Sequence, residues 1–150
     1  MSLFDTVSED IKKAMLARDH VALDALRGIK KEFLEAKTAK GTDGELHDDA
    51  ALKILQKMIK QRKESAEMYI AGNRQDLADA ELAQAAIIER YLPKQMSAEE
   101  IAEAVKQIIA QLGATSMADM GKVMGTASKQ LAGKADGKAI SQIVKQLLGA

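Results

Sequence analysis

Apolar residues recur every three to four positions along almost the whole chain, which is the spacing of one face of an α-helix. Leu3, Val7, Ile11 and Met15 show this pattern at the start of the sequence. No segment alternates apolar and polar residues for long enough to predict a β-strand. Aromatic residues make up only 3% of the 150 residues, so the core has to be built mainly from aliphatic side chains. The sequence therefore predicts an all-α fold.

Turn-forming residues divide the first part of this pattern into about four helices. Ser2 is placed to cap the first helix, and Asp48 or Asp49 the third, because short polar side chains accept hydrogen bonds from the free N–H groups of a first turn. The fourth helix ends at Pro93, the only proline, which cannot continue a helix. The breaks between these helices are predicted at the following turns: Arg18-Asp19, Thr42-Asp43-Gly44 and Gly72-Asn73.

Three shorter helices are predicted after Pro93. Ser97 and Glu100 form a capping box for the first of them. Ser116, with Asp119 three residues later, begins the second, which we expect to end at Gly133, and Asp136 is placed to cap the third. We therefore expect two domains, an N-terminal helical module of residues 1–93 and a C-terminal module of residues 94–150. The second is expected to be a small three-helix bundle like those of ubiquitin-associated domains.

The composition excludes several classes of protein. The chain has no cysteine, which rules out disulfides, thiolate catalysis and cysteine-based zinc sites. Its N-terminus carries acidic residues where a signal peptide would be basic, and no apolar run reaches the roughly 20 residues that span a bilayer. We therefore expect a cytoplasmic location and no membrane association.

Residues suited to catalysis or metal binding do not form a recognisable set. His20 and His47 are the only histidines, and neither belongs to a metal-binding spacing on one helix face. The segment His47-Asp48-Asp49 is consistent with a metal cluster, but a solvated loop that ends in a helix cap explains it better. The sequence thus predicts no metal, no cofactor and no catalytic residues.

Two features of the helices admit a functional interpretation beside a structural one. A basic run on the third helix either contacts nucleic acid or is a solvated face paired with neighbouring acidic residues, and we favour the second. Gly121 and Gly125 lie four residues apart within a helix, where glycine is costly. They indicate that another backbone approaches closely, more often a neighbouring helix than a ligand. The basic run comprises Lys53, Lys57, Lys60, Arg62 and Lys63.

The segment Gly133-Lys134-Ala135-Asp136-Gly137-Lys138 gives the strongest functional indication. It links two predicted helices and places two lysines beside a helix N-terminus, which favours a phosphate group. A tight turn with a helix cap is the structural alternative. The segment lacks the spacing of a nucleotide-binding P-loop. From residue 111 onward five lysines stand against two acidic residues, a mild basic excess: Lys122, Lys129, Lys134, Lys138 and Lys145 against Asp119 and Asp136.

Several motifs in this order make the chain resemble the GatB/YqeY family, and most closely its free-standing YqeY-like proteins. The C-terminal part, from about residue 97, is similar to the tail domain of the B subunit of the glutamine-dependent aspartyl/glutamyl-tRNA amidotransferase. The resemblance implies the tRNA-holding appendage rather than the catalytic domain, for which this chain has no room. The motifs are Lys60-Gln61-Arg62-Lys63-Glu64-Ser65, Ala71-Gly72-Asn73-Arg74-Gln75-Asp76-Leu77, Tyr91-Leu92-Pro93-Lys94-Gln95-Met96-Ser97, Asp119-Met120-Gly121-Lys122-Val123-Met124-Gly125 and the segment of residues 133–138.

We therefore predict a non-catalytic module that associates with tRNA, with the tRNA amidotransferase or another protein as further candidate partners. No arginine lies beyond residue 111 and no aromatic residue beyond Tyr91, so only weak, salt-sensitive contacts to backbone phosphates are expected. The alternative is a protein-interaction adaptor with an exposed patch of Met117, Met120 and Met124. The candidate RNA-binding residues are Lys60, Arg62, Lys63, Lys122, Lys134, Lys138 and Lys145, and the candidate backbone-contact glycines are Gly121, Gly125, Gly133 and Gly137.

Overall fold

A computed structural model describes residues 2–149, so that Met1 and Ala150, the two ends of the predicted modules, lie outside it. Within this range the chain is helical and contains no β-strand, which confirms the all-α prediction. None of the helices described is long and apolar enough to span a bilayer. The elements are α1 (Leu3–Ala17), α2 (His20–Lys37), α3 (Asp48–Ala71), α4 (Gln75–Glu89), α5 (Ala98–Leu112), a 3-10 helix (Met117–Asp119), α6 (Met120–Gln130) and α7 (Gly137–Gly149).

Two of the predicted helix caps form as expected. The Ser2 hydroxyl oxygen accepts a hydrogen bond from the backbone N–H of Asp5 at 3.2 Å, at the start of α1. At the start of α5, the Glu100 N–H donates to the Ser97 hydroxyl at 3.1 Å, and the Ser97 N–H donates to the Glu100 carboxylate at 3.2 Å. Each reciprocal bond satisfies an N–H group that has no partner within the helix.

The predicted aspartate cap of α3 is wrong. His47 occupies the N-cap position and makes no capping hydrogen bond through its side chain. The Asp48 carboxylate instead accepts a long hydrogen bond, 3.4 Å, from the Leu3 N–H at the start of α1. Asp48 and Asp49 lie in the first turn of α3, where a negative charge is favoured by the helix dipole, and the Asp49 carboxylate accepts the neighbouring Ala50 N–H at 2.9 Å.

The start and end of α6 also differ from expectation. Ser116 caps the short 3-10 helix that precedes α6, through a hydrogen bond from the Ala118 N–H at 3.3 Å. The Asp119 carboxylate turns back to accept the Thr115 N–H at 3.0 Å. The α-helix then ends at Gln130 rather than at Gly133.

The chain divides into two compact units between Leu92 and Pro93. In the first unit, α3 packs along α4, while α2 packs against both α1 and α4. The second unit is a bundle in which α5, α6 and α7 each pack against the other two. Each unit has its own apolar core. Side chains almost fully removed from solvent are Val7, Ile29, Phe33, Leu55 and Ile88 in the first core, and Val105, Ile108, Val123, Ile140 and Val144 in the second.

Candidate nucleic-acid-binding surface

The connection between α6 and α7 carries the lysines that the sequence singled out. Gly133 has a φ of 76°, in the left-handed region that favours glycine, and this reverses the chain after α6. The N–H groups of Lys134 and Ala135 both donate to the Leu131 carbonyl, at 3.0 and 3.2 Å. The turn buries Gly133 and Ala135 and leaves the Lys134 side chain exposed between them. Of the four candidate glycines, Gly133 is thus the one whose conformation requires glycine.

The segment after Pro93 holds this turn from the other side. The Gln95 side-chain amide donates to the Gly133 carbonyl at 2.7 Å and to the Pro93 carbonyl at 2.9 Å. The Met96 N–H donates to the Lys134 carbonyl at 2.9 Å. Two consecutive carbonyls of the lysine turn therefore accept hydrogen bonds from a segment 38 residues earlier in the chain.

Three candidate lysines of the second unit are exposed and carry no ion pair. Lys134, Lys138 and Lys145 have no carboxylate within 4.0 Å among the residues described. Lys138 and Lys145 are seven residues apart on α7, which places them on one face about 10 Å apart along the axis. Together with Lys134, just before the helix, they form what we call the lysine surface.

Two acidic residues of the second unit bind backbone groups instead of lysines. Glu100 accepts the Ser97 N–H, which is the main cause of its lowered pKa. Asp119 accepts the Thr115 N–H, which likewise lowers the pKa of its carboxyl group. These carboxylates stabilise helix ends and do not neutralise the lysine surface.

Lys122 is separated from Lys134 by the length of α6. It lies in the first turn of α6, while the turn that carries Lys134 follows the other end of that helix. It is also close enough to Asp119 to contribute to the lowered pKa of that carboxyl group. Lys129, which was not among the predicted site residues, is exposed in the last turn of α6, nearer in the chain to Lys134.

The expected close approach of a backbone at Gly121 and Gly125 is wrong. Apart from its chain neighbours and the backbone of α6 itself, a Cβ atom added at either position would meet no atom of residues 2–149 within 4 Å. The reason is the rotation of α6, since Val123 and Ala127 point into the core and leave the two glycines on the solvent side. Gly137 also has open space around it.

The basic run on α3 does not form a single patch. Arg62 forms an ion pair with Glu81 of α4 at 3.3 Å, and Lys63 forms one with Glu89 at 2.9 Å. Lys60 is exposed, with no ion pair within the described range. The structure therefore gives Arg62 and Lys63 the paired, structural role that we favoured.

Arg62 also borders an open groove of about 330 Å³ between α2, α3 and α4. Its Nε atom is shielded from solvent and has no hydrogen-bond partner. Lys31, Glu32 and Glu81 line the same groove, so it presents both signs of charge. A groove with this mixture of charges is not suited to binding an anion such as a phosphate.

The remaining candidates have local explanations. His47 forms a hydrogen bond with Asp43 at 2.9 Å, which raises the pKa of the histidine and lowers that of the aspartate. Residues 2–149 contain no group of three or more histidine, cysteine, aspartate or glutamate residues that is able to hold a metal ion. Among the three methionines of the adaptor hypothesis, Met120 and Met124 pack against the core and only Met117 is well exposed, at 45%.

Comparison with known proteins gives a family match over almost the whole chain. Residues 4–148 match the family described as Yqey-like protein. A protein of Pyrenophora tritici-repentis named "Altered inheritance of mitochondria protein 41, mitochondrial" is 32% identical across 94% of this chain and 78% of its own length. Proteins of the same name in Meyerozyma guilliermondii and Kluyveromyces lactis are 40% and 32% identical, across 59% and 71% of this chain.

The alignments span 45% of the Meyerozyma guilliermondii protein and 58% of the Kluyveromyces lactis protein, so this chain covers about half of those relatives. All three relatives are named as mitochondrial proteins. This finding contradicts the cytoplasmic location expected from the composition and the N-terminal residues.

Proposed function

Because this chain belongs to the family of YqeY-like proteins, we propose that it is a non-catalytic binding protein whose C-terminal unit contacts the phosphate backbone of tRNA. The observation that carries the proposal is the lysine surface. Lys134, Lys138 and Lys145 are exposed and lack ion pairs within the described residues. Unpaired cations on α7 and in the turn before it suit a polyanion, because its phosphates supply the missing counter-charges.

The type of contact follows from the residues that are present. Lysine binds a phosphate as a point charge, without the paired hydrogen bonds that orient a guanidinium group. The second unit has no aromatic residue on which a base can stack. The surface is therefore suited to backbone phosphates and to the shape of a folded RNA, and poorly suited to reading sequence. The resemblance of residues 97–150 to a tRNA-holding tail domain is what selects tRNA among folded RNAs.

The adaptor alternative has less support. It needs an apolar patch, but two of its three methionines are packed against the core of the second unit. Met117 and Leu112 are exposed at 45% and 42%. Two partly exposed side chains are ordinary for a protein surface and do not by themselves indicate a partner.

The proposal is tested by the affinity for tRNA at low salt after charge reversal. We expect the double variant Lys134→Glu, Lys138→Glu to bind at least about tenfold more weakly than the unaltered chain, since it replaces two phosphate contacts with repulsion. The matched control is Lys53→Glu, Lys57→Glu, which makes the same change of charge at two exposed lysines four residues apart on α3.

The control separates contact from net charge. Both variants lower the charge of the chain equally, so a long-range effect weakens binding by the same factor in each. If the two variants bind alike, or if the unaltered chain does not bind tRNA at low salt, the proposed function is incorrect.

A further inference from the structure

We propose that Gln95 is a positioning residue for RNA binding, because it fixes the turn from which Lys134 projects. This inference rests on the proposed function of the lysine surface. Gln95 itself lies outside that surface and acts through the backbone of residues 133 and 134. Its side-chain amide has both hydrogens engaged, one by the Gly133 carbonyl and one by the Pro93 carbonyl.

The hydrogen bonds of this segment restrain the turn at successive peptide units. Gln95 binds the carbonyl of Gly133, and the Met96 N–H binds the carbonyl of Lys134 at 2.9 Å. On its other side the turn is held by the Leu131 carbonyl, which accepts the N–H groups of Lys134 and Ala135. The backbone of Lys134 is therefore bonded through both its N–H and its carbonyl group.

A fixed backbone limits the volume that the Lys134 ammonium group samples. The ammonium group sits on a flexible four-carbon chain and has no preferred geometry towards a phosphate. The Cα atom of Lys134 sets the centre of this volume relative to Lys138, and a mobile turn enlarges it. Loosening the turn adds conformations that must be lost again on binding, which weakens the complex without removing any charge.

The test is a double-mutant cycle of Gln95→Met and Lys134→Gln, read as tRNA affinity at low salt. Methionine keeps the length of the side chain and removes both donors. Gln95→Met alone is expected to weaken binding by about threefold to tenfold, the range of one hydrogen bond, because only one of the two Gln95 bonds, that to the Gly133 carbonyl, holds the turn. In the Lys134→Gln background the same change is expected to have almost no effect, because the lysine that the turn positions is already absent.

Two measurements exclude a merely structural effect. Helical content by circular dichroism at the binding temperature shows whether each variant is folded. If Gln95→Met unfolds, Gln95→Asn replaces it, because the shorter amide cannot reach both carbonyls. Gln107→Met, at an exposed glutamine of α5, is the matched control and should bind as the unaltered chain does.

The outcomes separate the inference from the proposed function. If the unaltered chain binds tRNA but Gln95→Met binds equally well, the positioning role is wrong and the lysine surface stands. Equal weakening by Gln95→Met in both backgrounds also overturns it, since Gln95 then acts independently of Lys134. If the unaltered chain does not bind tRNA, the proposed function fails and the positioning role fails with it.

Discussion

The two units of this protein differ in the ion pairs that their charged side chains form. In the first unit, carboxylates pair with basic groups of other helices, as Glu81 does with Arg62 and Glu89 with Lys63. In residues 93–149 no ion pair is found, and carboxylates such as Glu100 and Asp119 bind backbone N–H groups instead. The equal totals of 22 basic and 22 acidic residues conceal this difference.

The ion pairs between helices of the first unit follow from the packing of α3 against α4. In the first unit, α3 and α4 lie side by side over many turns, so that charges far apart in sequence meet. In the second unit, Glu100 and Asp119 lie near helix ends and accept free backbone N–H groups. A balanced composition therefore does not reveal that the described part of the second unit has no ion pair.

The largest effect on stability is expected from breaking the Arg62–Glu81 pair. Replacing Glu81 with alanine leaves a mostly buried guanidinium group, exposed at 22%, without the one ion-pair partner it has among residues 2–149. We expect a loss of about 1 to 3 kcal/mol in the free energy of unfolding, measured by urea titration.

The matched control for that prediction is Glu89→Ala. It removes the partner of Lys63 in a pair whose side chains are 56% and 46% exposed, so water replaces the lost contact. The loss is expected to stay below about 1 kcal/mol. Equal losses in the two variants would mean that the groove does not shield Arg62 as the structure indicates.

A smaller effect is expected from the hydrogen bond that Tyr91 donates to Asp10 at 2.5 Å, near the end of the first unit. Tyr91→Phe should lower the free energy of unfolding by about 1 to 2 kcal/mol at neutral pH. Burial first, and then the hydrogen bond to Asp10, raise the pKa of the Tyr91 hydroxyl above its ordinary value of 10.0.

The pH dependence of this difference follows from the raised pKa. The folded chain holds the proton more tightly than the unfolded chain, so the stabilising contribution is complete below pH 10.0 and is lost as the pH rises above it. The difference in the free energy of unfolding between the unaltered chain and Tyr91→Phe should be constant from about pH 7 to 9 and should narrow above pH 10. If this difference widens in alkaline solution, the hydrogen bond from the Tyr91 hydroxyl to Asp10 does not stabilise the folded chain.

The smallest effect is expected at Gly125, and its sign is opposite. Because a Cβ atom there meets no other element of the described chain within 4 Å, Gly125→Ala should raise the free energy of unfolding by about 0.5 to 1 kcal/mol, the difference in helix propensity. The thermal midpoint of the variant checks this. A lowered midpoint would mean that another backbone does approach α6 at this position.

Periodicity and capping residues were sufficient to predict the helical fold, because both act over one or two turns of the chain. The error at Gly121 and Gly125 was avoidable, since Val123 and Ala127 already indicate which face of α6 is buried. The bond from Gln95 to Gly133 was not predictable, because it joins positions 38 residues apart and no local pattern encodes it. The pairing of Arg62 with Glu81 was not predictable for the same reason, since the two residues are 19 positions apart.

The most direct test of the difference between the units is the salt dependence of tRNA binding. Two triple variants are compared with the unaltered chain, Lys134→Gln, Lys138→Gln, Lys145→Gln in the second unit and Lys53→Gln, Lys57→Gln, Lys60→Gln in the first. Each phosphate contact contributes about 0.7 to 0.9 to the slope of log affinity against log salt. We predict that the first variant flattens this slope by about 2 to 3 and that the second leaves it unchanged. Equal slopes in all three proteins, or flattening only in the second variant, would contradict an RNA-binding surface on the C-terminal unit.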